Sequence, residues 1–173
     1  MGGERFLPVR SVAAGYHQIT RHDGVFQERI HDTYQTKGKP SEPSICPQCG
    51  AVFHEGRWQW IKSHATTHQH SCPACQRIHE NNPAGFVTLH GDFFMHHRDE
   101  ILNLARHVEE REKTEHPLKR IMATEEKDNA VLITTTDIHL ARGIGTAIHD
   151  AYQGELEFHY NPSENLLRVH WSH

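Results

Sequence analysis

All four cysteines of the chain fall in two matched pairs, Cys46-Pro47-Gln48-Cys49 and Cys72-Pro73-Ala74-Cys75. Two thiolates two residues apart grip one face of a metal ion, and a second pair completes a tetrahedral four-sulfur shell. That donor set suits Zn²⁺, a borderline-soft cation with no redox chemistry of its own. The stretch between the pairs, residues 50–71, is slightly longer than in the usual paired C-x-x-C site, and a hairpin plus a loop fills it. Two other chemistries use the same residue types. A lone C-x-x-C such as Cys72/Cys75 serves thioredoxin-like exchange, but in a strand–helix setting and without a second pair. Two disulfides would need an oxidising compartment. The opening residues, Met1 to Pro8, contain no apolar signal-peptide core, and the apolar runs are too short to span a bilayer. The expectation is a cytoplasmic protein with one structural Zn²⁺ on Cys46, Cys49, Cys72 and Cys75 and no membrane segment.

Histidine is the compositional outlier, with 18 residues. His64 and His68 share one face of a helix, whereas His68 and His70 share one face of a strand. The segment His64, His68, His70, just before the second cysteine pair, is therefore a candidate second metal site. The remaining histidines read as exposed positions.

Three regions position these residues. Residues 1–45 show weak apolar periodicity interrupted by Gly, Pro and charge. They read as an arm, flexible or ordered by a partner, with a short helix between Gly24 and Tyr34 and a linker from Lys37 to Pro43. Residues 46–80 form the four-cysteine zinc module, zinc-ribbon or treble-clef-like. Within it Glu55-Gly56 joins two strand-like runs into a hairpin, and Trp58 and Trp60 share a face. These two rings either pack over the metal site or against the next domain, or stack on an RNA base. After the breaker Asn81-Asn82-Pro83-Ala84-Gly85, residues 86–173 turn regular. Strands are expected at 86–90, 118–125, 130–135, 155–160 and around Leu167, Val169 and Trp171. Helices are expected from Phe93 to Lys113 and after a cap at Thr136 or Asp137, ended by Gly154. The order β-α-β-β-α-β-β is that of a ferredoxin-like (split βαβ) domain with an extra C-terminal strand. The fold class is thus α+β, with one sheet face left for a partner or for the zinc module.

Catalytic motifs are missing. There is no phosphate-binding Gly-x-x-x-x-Gly-Lys loop, and Gly143-Ile144-Gly145 lies inside a helix rather than at its start, which points to close helix–sheet packing and no nucleotide cofactor. The deaminase pattern fails, because His54 is followed directly by Glu55 and Ser71 precedes Cys72. Four sulfurs on one ion also leave no coordination position for a catalytic water. The expectation is a protein that is not an enzyme.

Charge is uneven. Basic and acidic residues number six against five in residues 1–45, three against two in 46–85, and nine against fifteen in 86–173. An acidic C-terminal domain suits a protein partner, and RNA contacts belong at the front. The front supplies Arg57, Lys62 and Arg77 on the metal module. The arm adds Arg5, Arg10, Arg21, Arg29, Lys37 and Lys39, interleaved with Tyr16 and Tyr34.

The run from Cys46-Pro47-Gln48-Cys49 to Gly56-Arg57-Trp58, followed by Cys72-Pro73-Ala74-Cys75-Gln76-Arg77, resembles the zinc region of the Nmd-three-type adaptor proteins. Those proteins accompany the large ribosomal subunit in eukaryotes and have archaeal relatives. The stretch Gly154 to Tyr160 is similar to a short strand following that family's α/β module. The chain as a whole is similar to short bacterial proteins of this shape. The large adaptors carry further cysteines, extra β-rich domains and nuclear transport signals that this sequence lacks. The resemblance therefore implies association with the large ribosomal subunit or with structured RNA, and not nuclear export. The histidine excess motivates a different class, a zinc- or pH-responsive stress protein that binds another protein.

Overall fold

The structure is a computed structural model, and it describes residues 12–23, 34, 38–62 and 68–173. Arg5, Arg10, Arg29, Lys37 and His64 lie outside these residues, as does the expected 24–34 helix except for Tyr34. The elements are β1 (His17–Ile19), β2 (Ser44–Ile45), β3 (Val52–His54), β4 (Arg57–Gln59), β5 (His68–Gln69), α1 (Pro73–Glu80), β6 (Gly85–His90), α2 (Asp92–His96), α3 (Arg98–Glu115), β7 (Ile121–Lys127), β8 (Ala130–Thr135), α4 (Ile138–Tyr152), β9 (Glu155–Asn161) and β10 (Leu166–Ser172). The architecture is mixed α+β, with two sheets among the described residues.

The larger sheet has the order β1-β9-β10-β6-β8-β7. β8 pairs antiparallel with both β6 and β7, so β6-α3-β7 is a split crossover with β8 seated between its strands. On the other side of β6 lies β10, parallel to it, and β9 pairs antiparallel with the outer side of β10. The C-terminal strand is thus inserted into the sheet rather than appended to it. Alternate residues point to the helices: Val87 and Leu89 of β6, Val131 and Ile133 of β8, and Leu167, Val169 and Trp171 of β10 are all buried. They pack against Ile101, Leu102 and Ala105 of α3 and Ala141, Ile144 and Ile148 of α4 in one core.

Local chemistry sets the element ends. Asp137 has extended backbone, and its carboxylate accepts from the Leu140 N–H at 2.8 Å, which caps α4. Asp128 and Asn129, at φ 53° and 60°, form the tight turn between β7 and β8. The expected Phe93–Lys113 helix is two helices. His97 leaves helical geometry between them (φ −114°, ψ 20°) while its ring stacks on Phe93 at 4.2 Å. Phe94 of α2 is fully buried in the core.

Residues 12–23 of the expected arm belong to the α/β domain. β1 extends the sheet as its edge strand against β9. Arg21 pairs with Asp150 at 2.7 Å, and the Arg142 guanidinium donates to the carbonyls of Arg21 and Asp23. Tyr16 is buried with the Arg168 guanidinium 4.6 Å over its ring. The smaller sheet, ordered β4-β3-β2-β5, begins at Ser44, so the metal module starts slightly earlier than Cys46.

Candidate metal centre and the adjoining cleft

The first cysteine pair sits on a knuckle. The Gly50 N–H donates to the Cys46 carbonyl and the Cys46 N–H to the Ala51 carbonyl, both at 2.8 Å. Gly50 takes φ +80°, a conformation glycine adopts without steric cost. The chain then runs into the β3–β4 hairpin through Glu55 and Gly56, both at positive φ. The second pair opens α1. Cys72 is its N-cap, its sulfur accepting from the Cys75 N–H at 3.4 Å, and Pro73 follows in the first turn. Asn81 ends the helix in the left-handed region.

This brings the four sulfurs together. All lie within 4.8 Å of one another, and Cys49 Sγ is 3.7 Å from Cys72 Sγ. A tetrahedral ion at the Zn–S distance of about 2.3 Å needs sulfurs about 3.8 Å apart, whereas a disulfide needs about 2.05 Å. The thiols are free and buried or half-buried, packed with Ala74, Trp58 and Leu118. No disulfide is formed at these separations; β5 and α1 do give Cys72 and Cys75 a strand–helix setting, but the second cysteine pair lies against them. The donor set, four soft thiols within 4.8 Å of one another, fits one metal ion.

The electrostatics favour a cation. Burial pushes the Cys72 thiol well up, and the charges of Cys49, Cys46 and Cys75 add to this. Burial also raises Cys75, against the lowering effect of Arg120. Cys46 is the exception: burial opposes its ionisation, yet the backbone N–H groups of Cys72, Cys49 and Gln48 bring it down to about 7.

Arg120 is the residue that sequence reasoning missed. It is 8% exposed, at the entry to β7, and its guanidinium donates to Cys75 Sγ at 3.3 Å and Cys72 Sγ at 3.6 Å. Its Nε donates to the Pro117 carbonyl and its backbone N–H to Thr136 Oγ1. Burial would lower its pKa, but the thiolates, Cys49 and Cys75 foremost, raise it above the ordinary arginine value. No carboxylate pairs with it among the described residues. The sulfur cluster is its counter-charge. This also explains why the strand expected from Leu118 begins at Ile121: residues 118–120 turn toward the metal module instead. The module therefore docks at the end of the sheet, by Leu118, Arg120 and the C-terminus of α3, rather than on the free sheet face.

The expected RNA contacts divide. Arg57, Lys62 and Lys39 are exposed. Arg57, Trp58, Trp60 and Lys39 line a common cleft of about 780 Å³ between the hairpin and the end of α3. Trp58 is half-buried, between Phe53 at 5.5 Å and His70 at 6.4 Å. Trp60 is 40% exposed, with its indole N–H donating to the Lys113 carbonyl at 2.7 Å. Arg77 is a correction. It is 6% exposed, donating to the Asn82 carbonyl at 2.9 Å with its guanidinium 4.6 Å over Tyr34, because its place on α1 faces inward. Arg21 is tied to Asp150. His68 and His70 are exposed and are not among the groups that converge on a metal position among the described residues.

Compared with protein-family models, with curated proteins and with solved structures, the chain matches none. Among the described residues no helix is long and apolar enough to cross a membrane.

Proposed function

We propose that this is a non-enzymatic zinc-binding protein that associates with structured RNA, in the setting of the large ribosomal subunit. The observation that carries the metal reading is the convergence of four sulfurs within 4.8 Å. Zinc is the ion that closed tetrahedral thiolate sites hold without redox change, and such a site has no open position for a catalytic water. The knuckle, the β3–β4 hairpin and the helix that starts at Cys72 together support a treble-clef-like module. The split β6-α3-β7 crossover around β8 supports a ferredoxin-like domain in which β10 takes the place beside β6. RNA association is supported by the exposed cations Arg57 and Lys39, without an ion-pair partner among the described residues, on the same cleft as two tryptophans. The resemblance of the cysteine motifs supports it too. Arginine's planar fork suits phosphate.

Gradient sedimentation of cell extract tests the reading. Tagged protein is expected to travel with ribosomal particles at low salt and to leave them steeply as salt rises. Protein that stays wholly in the soluble fractions at low salt overturns it.

A further inference from the structure

We infer that the cleft between the metal module and α3 is a site for an unpaired nucleotide, so that the RNA segment it takes is single-stranded. This rests on the RNA reading above and narrows it to one place and one chemistry.

Trp58 and Trp60 have different roles. Trp58 forms the floor, its ring already engaged by Phe53 and His70 and packed on the cysteine cluster. Trp60 is held in place from behind. Its indole N–H is satisfied by the Lys113 carbonyl in the last turn of α3, so the ring direction is fixed while 40% of its surface stays exposed. A large aromatic that is both anchored and exposed at the wall of a cleft is a stacking platform whose ordering cost has been met in folding.

Charge selects the occupant. Among the charged groups of the lining, Lys119 is neutralised by Glu112 at 2.9 Å, and Asp137 is committed to capping α4. Arg57 and Lys39 have no ion-pair partner among the described residues, against the single exposed carboxylate of Glu115. The two cations left without a carboxylate partner are exposed and line the same cleft as the exposed ring. A base on Trp60 with its phosphates on Arg57 and Lys39 satisfies both features. A paired base does not, because its faces are already covered within the duplex.

The test uses the full chain loaded with zinc and three probes: a single-stranded oligoadenylate, an RNA hairpin of equal charge whose loop is a non-nucleotide linker, and a proline-rich peptide. Binding is read from tryptophan fluorescence and from its salt dependence. Oligoadenylate is expected to quench the emission and to bind more tightly than the hairpin. Trp60→Leu is expected to weaken oligoadenylate binding about tenfold or more. Arg57→Gln is expected to flatten the salt slope by about one unit. Trp60→Phe, which keeps a ring, retains part of the affinity and guards against a folding artefact, as does the exposed Arg57 variant. Equal binding by wild type and Trp60→Leu, equal affinity for hairpin and oligoadenylate, or binding of the peptide in place of RNA each overturns the proposal. If ribosomal particles still carry the Trp60→Leu and Arg57→Gln variants undiminished, the cleft assignment falls and the broader RNA reading stands. If neither particles nor oligoadenylate bind the wild type, both fall.

Discussion

The Arg120 guanidinium donates to Cys75 Sγ at 3.3 Å, across the boundary between the metal module and the α/β domain. A buried cation needs a counter-charge, and stranding one costs several kcal/mol. Four thiolates around a divalent ion carry a net charge of about −2, and Arg120 offsets part of it while orienting two of the sulfurs. Groups that orient metal ligands typically change affinity by about 10–100-fold. Arg120→Met is expected to weaken zinc binding by that factor in competition with a chelating dye, and Arg120→Lys to recover only part, since a single ammonium cannot reach both sulfurs in one plane. Unchanged affinity in Arg120→Met would refute this account.

Removing the ion should unfold the module and spare the large sheet. The small sheet consists of strands of two and three residues, too short to hold without a staple. Structural zinc supplies about 10–16 kcal/mol in isolated finger peptides. Cys72→Ser, or chelation of the wild type, is expected to abolish stoichiometric zinc and shift Trp58 fluorescence to the red, with the far-ultraviolet dichroism of the larger domain largely kept. Metal-free protein with an intact module by amide exchange would contradict the prediction.

Gly145 and Gly143 should respond oppositely to alanine. A Cβ on Gly145 would lie 2.5 Å from Val169 Cγ1 and 3.3 Å from Leu156 Cδ1, where α4 presses on β9 and β10. One on Gly143 meets only Val108 at 3.9 Å. Gly145→Ala is expected to cost about 1–3 kcal/mol through overpacking. Gly143→Ala is expected to stabilise by up to about 1 kcal/mol through helix propensity. Urea denaturation of both variants decides it.

Stability should fall in alkali through Tyr160. Its phenol is buried, and burial pushes its pKa above the ordinary value of 10.0. The hydroxyl donates to Asn165 Oδ1 at 2.9 Å, a bond that the phenolate cannot make. Because the folded-state pKa is raised, the associated stability is complete below the unfolded pKa and is lost as pH rises toward the folded one. Tyr160→Phe is expected to show a shallower decline of stability above about pH 10 than the wild type. Equal slopes in the two proteins would count against this.

What could be read beforehand follows from range. The β8 boundaries and the Asp137 cap are local signals, carried by neighbouring residues, and they emerge where expected, whereas β9 does not alternate between buried and exposed residues: Phe158, His159, Tyr160 and Asn161 are all buried. The cysteine cluster is non-local, yet paired motifs announce it. α1 stands where no helix is expected, although Pro73 in its first turn, Arg77 and His79 in its last and Asn81 at its end mark it. Arg120 has no such marker. In Leu118-Lys119-Arg120 nothing separates a solvated arginine from one buried on sulfur, because the distinction depends on a module some 45 residues away in the chain. Arg77 departs from expectation for the same reason: its burial depends on Tyr34 and Asn82 and not on its neighbours. The insertion of β10 between β6 and β9 is equally hidden, since periodicity tells which face a residue occupies and not which strand lies beside it.

That insertion governs the order of assembly. β6 emerges well before its partner on one side, β10, which is the latest of the described strands to be made. Until residues 166–172 are made, one edge of β6 lacks its native partner, and β9 lacks the strand that joins it to the sheet. A nascent chain paused before this point presents an unpaired edge to its neighbours. The native strand order of the larger domain therefore cannot be completed before β10 is made.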